Sequence, residues 1–370
     1  MILPHTNATG DLPRRHNHIT RLAWLPQLFQ YLEAVATDAQ HERLSSTGHK
    51  KRRGLLYRDQ GDLTKTPNTQ LWESHLGGKK CRHSATIKGG EYHFMLALGR
   101  SVDRAKKAGV ILAIEKPALL TFLKKYEDPH SIHTTRAHLF KQIPRVISAL
   151  LAMALHDQRL FGQQGYIALV GLKLDGSRRH YNRLKSYMGK HLCSPALSAR
   201  LEDILELLTH TRIILDGEDC GIILRMDSTP RYVTGDQLNQ NAPTCVRGGR
   251  WQMGIFNEKL FSVAFKHFMQ VDVRAYQLRD QDFNVYLNTK SDHHMQYGKK
   301  TGKERQRVLF SAQELTRRAG LVQLTQKTTW QERRCLLRAL KRMKRLGLIE
   351  DYGEQKPYRG KDLWVSFPPD

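Results

Sequence analysis

Residues 311–350 decide the fold prediction, and their sequence is SAQELTRRAGLVQLTQKTTWQERRCLLRALKRMKRLGLIE. Ser311 stands three residues before Glu314, and Thr329 stands three residues before Glu332. A Ser or Thr followed three positions later by Glu is the capping-box spacing at helix N-termini, where each side chain closes a backbone amide. The stretch therefore predicts two helices that begin at these two capping boxes.

The two helices have predicted ends as well as predicted starts. The first should run to Arg318, with Gly320 ending it, because glycine accepts the left-handed conformation that commonly follows a helix. A turn through 321–328 follows. The second helix should cover 329–346, with Gly347 as its stop. A helix, a turn and a longer helix in this order predict a helix-turn-helix.

The second predicted helix has one apolar face and one basic face. At about 100° per residue, its apolar side chains fall on one side: Leu336, Ala339, Leu340, Met343 and Leu346. A basic stripe lies opposite: Arg334, Arg338, Lys341 and Arg345. The helix carries seven Lys and Arg against a single acid, Glu332. Like charges at i,i+4 repel, so an ordinary solvated helix mixes signs, and this stripe favours binding to nucleic acid over a merely solvated face.

A basic hairpin is predicted directly after the basic helix. Residues 348–350 and 363–367 have the composition of two strands, and the loop between them carries Lys356, Arg359 and Lys361. This arrangement predicts a winged helix-turn-helix on duplex DNA. The helix stripe would contact phosphates or guanines, and the hairpin would hold the backbone or the minor groove. The residues expected near base edges are Thr325, Gln326, Lys327, Thr328 and Gln331.

Composition supports an anionic partner and excludes several classes of protein. The 370 residues carry a formal charge of +25 with a sequence pI of about 10.0, which points to nucleic acid or another anionic surface. No apolar run approaches the roughly 18 residues of a spanning helix, and no signal peptide is recognisable at the N-terminus, so we expect no membrane association. Five scattered cysteines fit free thiols in a reducing cytoplasm.

The first part of the chain, residues 1–130, is predicted to be a basic N-terminal region that is partly helical, with helices at 92–109 and 116–126. Cys81, His83 and His93 match no zinc-binding spacing, so no metal or cofactor is expected.

Residues 138–268 predict a first winged-helix-like domain, and 272–370 a second that reads DNA. The first would contain an apolar helix over 145–158, a strand over 166–174, an acidic helix over 195–210, a hairpin over 212–225 and a loop over 227–250. A basic helical stretch over 177–188 carries Arg178, Arg179 and Arg183 as further candidates for DNA contact. The first domain could instead serve dimerisation.

The second would begin with a helix over 273–290 and a basic loop over 291–303. The predicted class is α+β, mainly helical, with two tandem winged-helix domains.

Enzymatic patterns are weak in this sequence. Residues 298–304 approach a phosphate-binding loop but are one residue short, and Glu304 replaces the Ser or Thr that holds magnesium. Tyr286 with Lys290 leaves open a tyrosine-dependent DNA-nicking enzyme, although tyrosines on apolar helix faces are usually part of a core. A non-enzymatic binding protein is therefore expected.

Three segments together resemble iteron-binding plasmid replication initiators, a family with tandem winged helices. They are residues 250–261 as a strand followed by a helix, 273–290 as the next helix, and 314–320 with 331–349 as the DNA-reading pair. The resemblance spans roughly 138–370.

The resemblance implies a protein that binds repeated sites at a replication origin, helps to open adjacent AT-rich DNA, and recruits the host helicase and its loader. Family members often also repress their own promoter as homodimers. A winged-helix transcriptional repressor remains the alternative prediction.

Overall fold

The computed structural model describes the following ranges of the chain: 15–19, 70–76, 79–88, 90–98, 109–125, 136–173, 179–188, 195–215, 218–239, 248–260, 268–297, 307–319, 321, 330–358 and 360–368. Helices and strands are mixed along these ranges. In the first third of the chain, where the sequence predicted helices, most of the described residues lie in strands.

The elements follow in chain order. The strands are β1 (Arg15–Ile19), β2 (Gln70–Leu76), β3 (Lys79–Lys88), β4 (Glu91–Leu98), β5 (Gly109–Glu115), β6 (Tyr166–Leu172), β7 (Arg179–His180), β8 (Thr211–Leu215), β9 (Glu218–Ile222), β10 (Leu224–Met226), β11 (Arg231–Val233), β12 (Gly249–Phe256), β13 (Phe268–Asp272), β14 (Arg307–Phe310), β15 (Asp351–Tyr358) and β16 (Lys361–Ser366). The helices are α1 (Lys116–Lys124), α2 (Arg136–Phe161), α3 (Asn182–Tyr187), α4 (Pro195–Thr209), α5 (Gly235–Asn239), α6 (Asp280–Tyr297), α7 (Ala312–Arg318) and α8 (Trp330–Arg345), with a 3₁₀ helix (Val273–Gln277) before α6.

The strands form antiparallel sheets. The largest has the order β2-β3-β4-β5-β8-β9, and a second has the order β10-β12-β6-β7 with β11 also paired to β12. The C-terminal sheet has the order β14-β16-β15, and β1 pairs with β13. The largest sheet therefore combines strands that precede residue 126 in the chain with strands that follow residue 135.

The helix predicted over 92–109 is wrong, because β4 covers its first residues up to Leu98 and β5 begins at Gly109. Short apolar runs do not distinguish a strand from a buried helix by periodicity, and here the strand pairing decides. β5 pairs with β8 in a register that places Ile111 opposite Ile214. The predicted N-terminal region thus shares a sheet with the predicted first winged-helix domain. The helix predicted over 116–126 is confirmed as α1.

Three predicted segments differ in detail. The basic helix expected over 177–188 is a short strand, β7, followed by the six-residue α3. The loop expected over 227–250 contains β11 and α5, and the first residues of the loop expected over 291–303 extend α6 to Tyr297. The hairpin predicted over 212–225 is confirmed by the pairing of β8 with β9, and the strand expected at the start of residues 250–261 is confirmed as β12.

One continuous apolar core connects most of the helices. The middle of α2 is buried, with Leu150 and Met153 wholly inaccessible to solvent. The same cluster continues from Leu112 in β5 through α6 to Phe367 after β16. The two predicted winged-helix domains therefore share a core across their predicted boundary.

A buried arginine joins α2 to the start of α6. The guanidinium of Arg145 donates to the Asp280 carboxylate at 2.6 Å and to the Tyr276 carbonyl oxygen at 2.7 Å. It also lies 5.1 Å from the centre of the Phe283 ring. Arg145 is completely buried, so its charge is balanced within the protein rather than by water.

Replacing Arg145 with Met should lower the free energy of unfolding by about 3 kcal/mol, because Asp280 and the backbone carbonyls of Tyr276 and Leu278 would lose their charged donor. Urea denaturation measures this loss. Arg279→Met is the matched control, because Arg279 is exposed and directly precedes Asp280 in the chain, and it should change stability by less than about 0.5 kcal/mol. Equal effects of the two substitutions would contradict the role of Arg145.

Candidate nucleic-acid interface

The C-terminal elements follow the order α6, β14, α7, α8, β15 and β16, with β16 between the other two strands of their sheet. The start of α7 is capped as predicted: the Glu314 backbone N–H donates to the Ser311 hydroxyl at 3.3 Å. The backbone N–H of Ala312 donates to the Asp362 carboxylate at 2.8 Å, which ties the same helix end to the sheet. The order of the helices and the hairpin along the chain follows the sequence prediction, while the assignment to the winged-helix class stays a prediction.

The two faces predicted for α8 are confirmed. Leu336, Ala339, Leu340 and Met343 are all wholly buried. The helix ends before Gly347, whose φ of +67° is a left-handed conformation that a side chain would disfavour. One side of α8 is consequently fixed against the core, and the opposite side faces outward.

The seven cations of α8 fall into two groups, and the first group is paired with acids from other elements. Arg333 donates to Glu354 and to Asp362, each at 2.7 Å. Lys344 donates to Asp351 at 2.8 Å, and Arg342 donates to Asp282 of α6 at 3.0 Å. These three cations attach the helix to the hairpin and to α6.

The second group is the stripe predicted to meet DNA: Arg334, Arg338, Lys341 and Arg345. All four are exposed, and none forms an ion pair with an acid in the part of the chain that the structure describes. At about 100° per residue they lie within an arc of about 60° on the outward side of α8. We name these four residues the basic stripe. Within the described residues, no acid neutralises its positive charge.

The exposed Trp330 begins α8 and lies beside the basic stripe. Its side chain is 73% exposed, and the guanidinium of Arg334 stands 5.1 Å from the centre of its ring. The predicted set of DNA contacts omitted Trp330. A large aromatic residue at the first position of a basic helix was the available signal.

The hairpin after α8 is longer than the sequence indicated. The strand predicted at 348–350 instead begins at Asp351, and Leu348 and Ile349 are buried before it. The strands continue to the pairing of Tyr358 with Lys361. Lys356 is exposed and Lys361 is half-buried, on the two strands near the turn. Lys361 therefore lies on a paired strand, whereas Lys356 lies where the pairing of β15 is interrupted, between Glu354 and Tyr358.

Helix α6 positions both helices of the candidate interface. Its Asp292 accepts two hydrogen bonds from Arg318 of α7, at 2.8 and 3.0 Å. Both side chains are almost completely buried. Asp282, also buried, holds Arg342 of α8. The relative placement of α7 and α8 thus depends on two aspartates of a third helix.

Several predicted contact residues lie outside the described residues: Thr325, Gln326, Lys327, Thr328, Arg178 and Arg359. Gln331 is described and is exposed on the first turn of α8. Arg179 lies in β7, and its side chain is outside the described part.

Arg183 is wrongly predicted as a DNA contact. It is completely buried in α3, and both of its terminal nitrogens donate to the carboxylate of Asp157. Burial by itself would raise the pKa of Asp157, but the charge and hydrogen bonds of Arg183, together with bonds from His156 and the Ala168 backbone N–H, lower the pKa below its usual value. The sequence pattern showed a basic cluster and could not show that one member pairs with an acid.

The acidic side of α4 also has a structural role. Lys125, just after α1, donates to Asp203 at 2.9 Å and to Glu206 at 3.2 Å. These acids therefore link α4 to the residue that follows α1. Helix α4 presents no unpaired basic face comparable to that of α8.

The alternative chemistry proposed for Tyr286 lacks an accessible nucleophile. Tyr286 is 2% exposed, and its hydroxyl accepts a hydrogen bond from the Asp272 backbone N–H at 3.1 Å. A buried phenol in this position cannot reach a DNA phosphate. Of the three residues whose spacing matched no zinc site, His93 contacts Glu91 at 3.0 Å, and the side chains of Cys81 and His83 are outside the described part. The phosphate-loop-like residues 298–304 also lie outside it.

Comparison of the chain with family models, with curated proteins and with solved structures finds no match in any of the three. Within the described ranges, no helix combines the length and the apolar character that crossing a membrane requires. The resemblance to plasmid replication initiators accordingly stays a prediction.

The Arg183→Met variant should lose stability rather than specific DNA affinity. We expect its free energy of unfolding at pH 7 to fall by about 3–5 kcal/mol, because Asp157 would remain buried without its cation. Arg159→Met, at an exposed site near the end of α2, is the matched control.

The free energy of unfolding should also depend on pH in opposite directions in the native chain and in Arg183→Met. In the native protein the lowered pKa of Asp157 means that its stabilisation is present above about 3.8 and is lost as the pH falls through the folded pKa. In the variant, burial without Arg183 raises the pKa of Asp157. Protonation of this carboxylate should therefore reduce the loss of stability as the pH is lowered from 7 toward 4. Urea unfolding at several pH values measures the free energy of unfolding of both proteins. A variant with unchanged stability and weakened DNA binding would show instead that Arg183 contacts DNA.

Proposed function

We propose that this chain is a sequence-specific double-stranded DNA-binding protein that acts as a replication initiator of a plasmid or another mobile element. It would bind origin repeats in the cytoplasm, promote opening of the origin, and recruit the host helicase and its loader. This role is non-enzymatic and needs no cofactor. The observation that carries the DNA-binding part is the basic stripe, whose four charges are exposed and unpaired within the described part of the chain.

The separation of the cations on α8 supports this function over a merely solvated surface. Where positive charge holds the fold together, an acid stands against it, as for Arg333 with Glu354 and Asp362. Among the described residues, no acid of a neighbouring element pairs with the basic stripe. Phosphate groups of DNA would provide the missing negative charge, and counterions released from the DNA would favour association.

The dimensions of α8 also suit this role. Its 16 residues extend about 24 Å. Its buried face is anchored, and the opposite face is free to enter a major groove about 12 Å wide. The N-terminal turn, with Trp330 and Gln331, would lie nearest the base edges, and the later members of the stripe would follow the phosphates. Lys356 and Lys361 of the hairpin would contact the adjacent backbone.

The step from DNA binding to replication initiation rests on the resemblance of residues 250–261, 273–290, 314–320 and 331–349 to iteron-binding initiators. A winged-helix transcriptional repressor would use the same surface, and the two functions differ in the organisation of their sites. An initiator binds several direct repeats in phase with the double helix, whereas a dimeric repressor binds an inverted repeat.

The Lys341→Ala variant should bind every duplex more weakly than the native chain, because it loses one phosphate contact. The slope of log affinity against log salt should become shallower by about 1. Fluorescence anisotropy with labelled duplexes over a series of salt concentrations measures both quantities.

Lys344→Ala is the matched control on the same helix. It removes the same charge, but Asp351 already neutralises Lys344 at 2.8 Å, so the slope should change much less. Equal changes in the two variants would mean that the chain responds to total charge and that the stripe is not a specific contact.

Nuclease footprinting of the full chain on DNA flanking its own gene should show several evenly phased protected repeats beside an AT-rich stretch. A single palindromic footprint over the promoter would favour the repressor. Retardation of all DNA without any footprint would overturn sequence-specific binding.

A further inference from the structure

The indole of Trp330 is more exposed to water than is favourable for a large apolar side chain. Its side chain is 73% exposed, whereas Trp251 in β12 is 1% exposed. An intrachain packing role would bury the indole, because removing a large aromatic surface from water is favourable. A large exposed apolar side chain at the edge of a charged surface is typical of a binding site. A single exposed residue is not sufficient, so its placement relative to charge decides what it would contact.

Trp330 lies on the same side of α8 as the basic stripe. At about 100° per residue, the indole and the four cations fall within an arc of about 80°, opposite the buried Leu336, Ala339, Leu340 and Met343. A ligand that neutralises Arg334 and follows the stripe along α8 would therefore also lie against the indole. A polyanion that offers only phosphates would cover it with charge, which an apolar ring does not favour. Duplex DNA offers an apolar group within the major groove, the C5-methyl of thymine.

Arg334 connects the ring to the stripe. Its guanidinium stands 5.1 Å from the Trp330 ring centre, a distance within the range of cation–π contacts. The contact restricts a long side chain before any ligand arrives, so less side-chain freedom is lost on binding. Trp330 also occupies the first position of α8, and the N-terminal residues of a groove-binding helix are those that reach base edges.

We propose that Trp330 is a specificity-determining residue that packs against thymine C5-methyl groups in the major groove and holds Arg334 toward the neighbouring phosphate or guanine. This inference rests on the proposed DNA-reading function and adds the base that the first turn of α8 selects. The preference concerns thymine against uracil and cytosine at one position or two adjacent positions of the site.

The test begins with duplexes that the full native chain selects from a random-sequence library. In the selected duplex, each thymine is replaced in turn by uracil, which removes the methyl group and leaves the base-pairing pattern unchanged. Affinities are measured for the native chain, Trp330→Ala, Trp330→Phe and Tyr232→Ala. Tyr232 is the matched control, because it is a 78% exposed aromatic residue on β11, outside the C-terminal sheet.

We expect one or two thymine-to-uracil changes to weaken binding of the native chain by about fourfold each, the effect of losing one buried methyl contact. The same changes should have no effect on Trp330→Ala and a reduced effect on Trp330→Phe. Tyr232→Ala should retain the native pattern.

Two outcomes overturn the inference and are distinguishable. If the native chain selects no sequence at all, the proposed DNA-reading function fails and the role of Trp330 fails with it. If the chain selects a sequence, but uracil costs the same in the native chain and in Trp330→Ala at every position, the DNA-reading function stands and Trp330 is not a thymine contact.

Discussion

The arrangement of this protein depends on three aspartates of helix α6, each of which binds an arginine from a different helix. Asp280 binds Arg145 of α2, Asp282 binds Arg342 of α8, and Asp292 binds Arg318 of α7. Removing charged groups from water is costly, and such a pair is favourable only with good geometry. The pairs therefore restrict the positions that the three helices can adopt around α6.

The same pairing determines where the positive charge of the protein is available. The formal charge of +25 counts every lysine and arginine, including Arg145, Arg183 and Arg318, which are buried against carboxylates. These buried cations contribute to packing and have no role in long-range attraction of DNA. The exposed cations of α8 without an acid, by contrast, act directly on the surrounding solution. A localised patch of this kind attracts DNA in one orientation more effectively than the same charge distributed evenly.

The continuous core gives the candidate interface a rigid support. The buried face of α8 belongs to the same apolar cluster as α2 and β6, so the basic stripe is attached to the body of the protein rather than to an independent terminal unit. The six-stranded sheet extends this body through β5 and β8. A helix supported in this way can present its side chains to a groove without first becoming ordered, which reduces the free-energy cost of binding.

The local features of the candidate interface could be predicted from the sequence. The Ser311 cap, the extent of α8, its buried apolar face and its outward basic stripe all follow from contacts within a few residues, whose spacing the sequence displays directly. The longer hairpin and the strands of the first third of the chain were less predictable, because pairing between strands decides them. β5 became a strand through its register with β8, about a hundred residues later in the chain.

Which arginines of the basic stretches meet a carboxylate was decided by tertiary structure. Arg183 and Arg338 both stand in basic stretches, yet the first is buried against Asp157, 26 positions away, and the second is exposed. Arg342 and Arg145 find their acids 60 and 135 positions away. Sequence spacing places a charge on a face of a helix. Only the packing of distant elements brings a carboxylate against it or leaves it exposed to solvent, because the Coulomb interaction depends on distance in space.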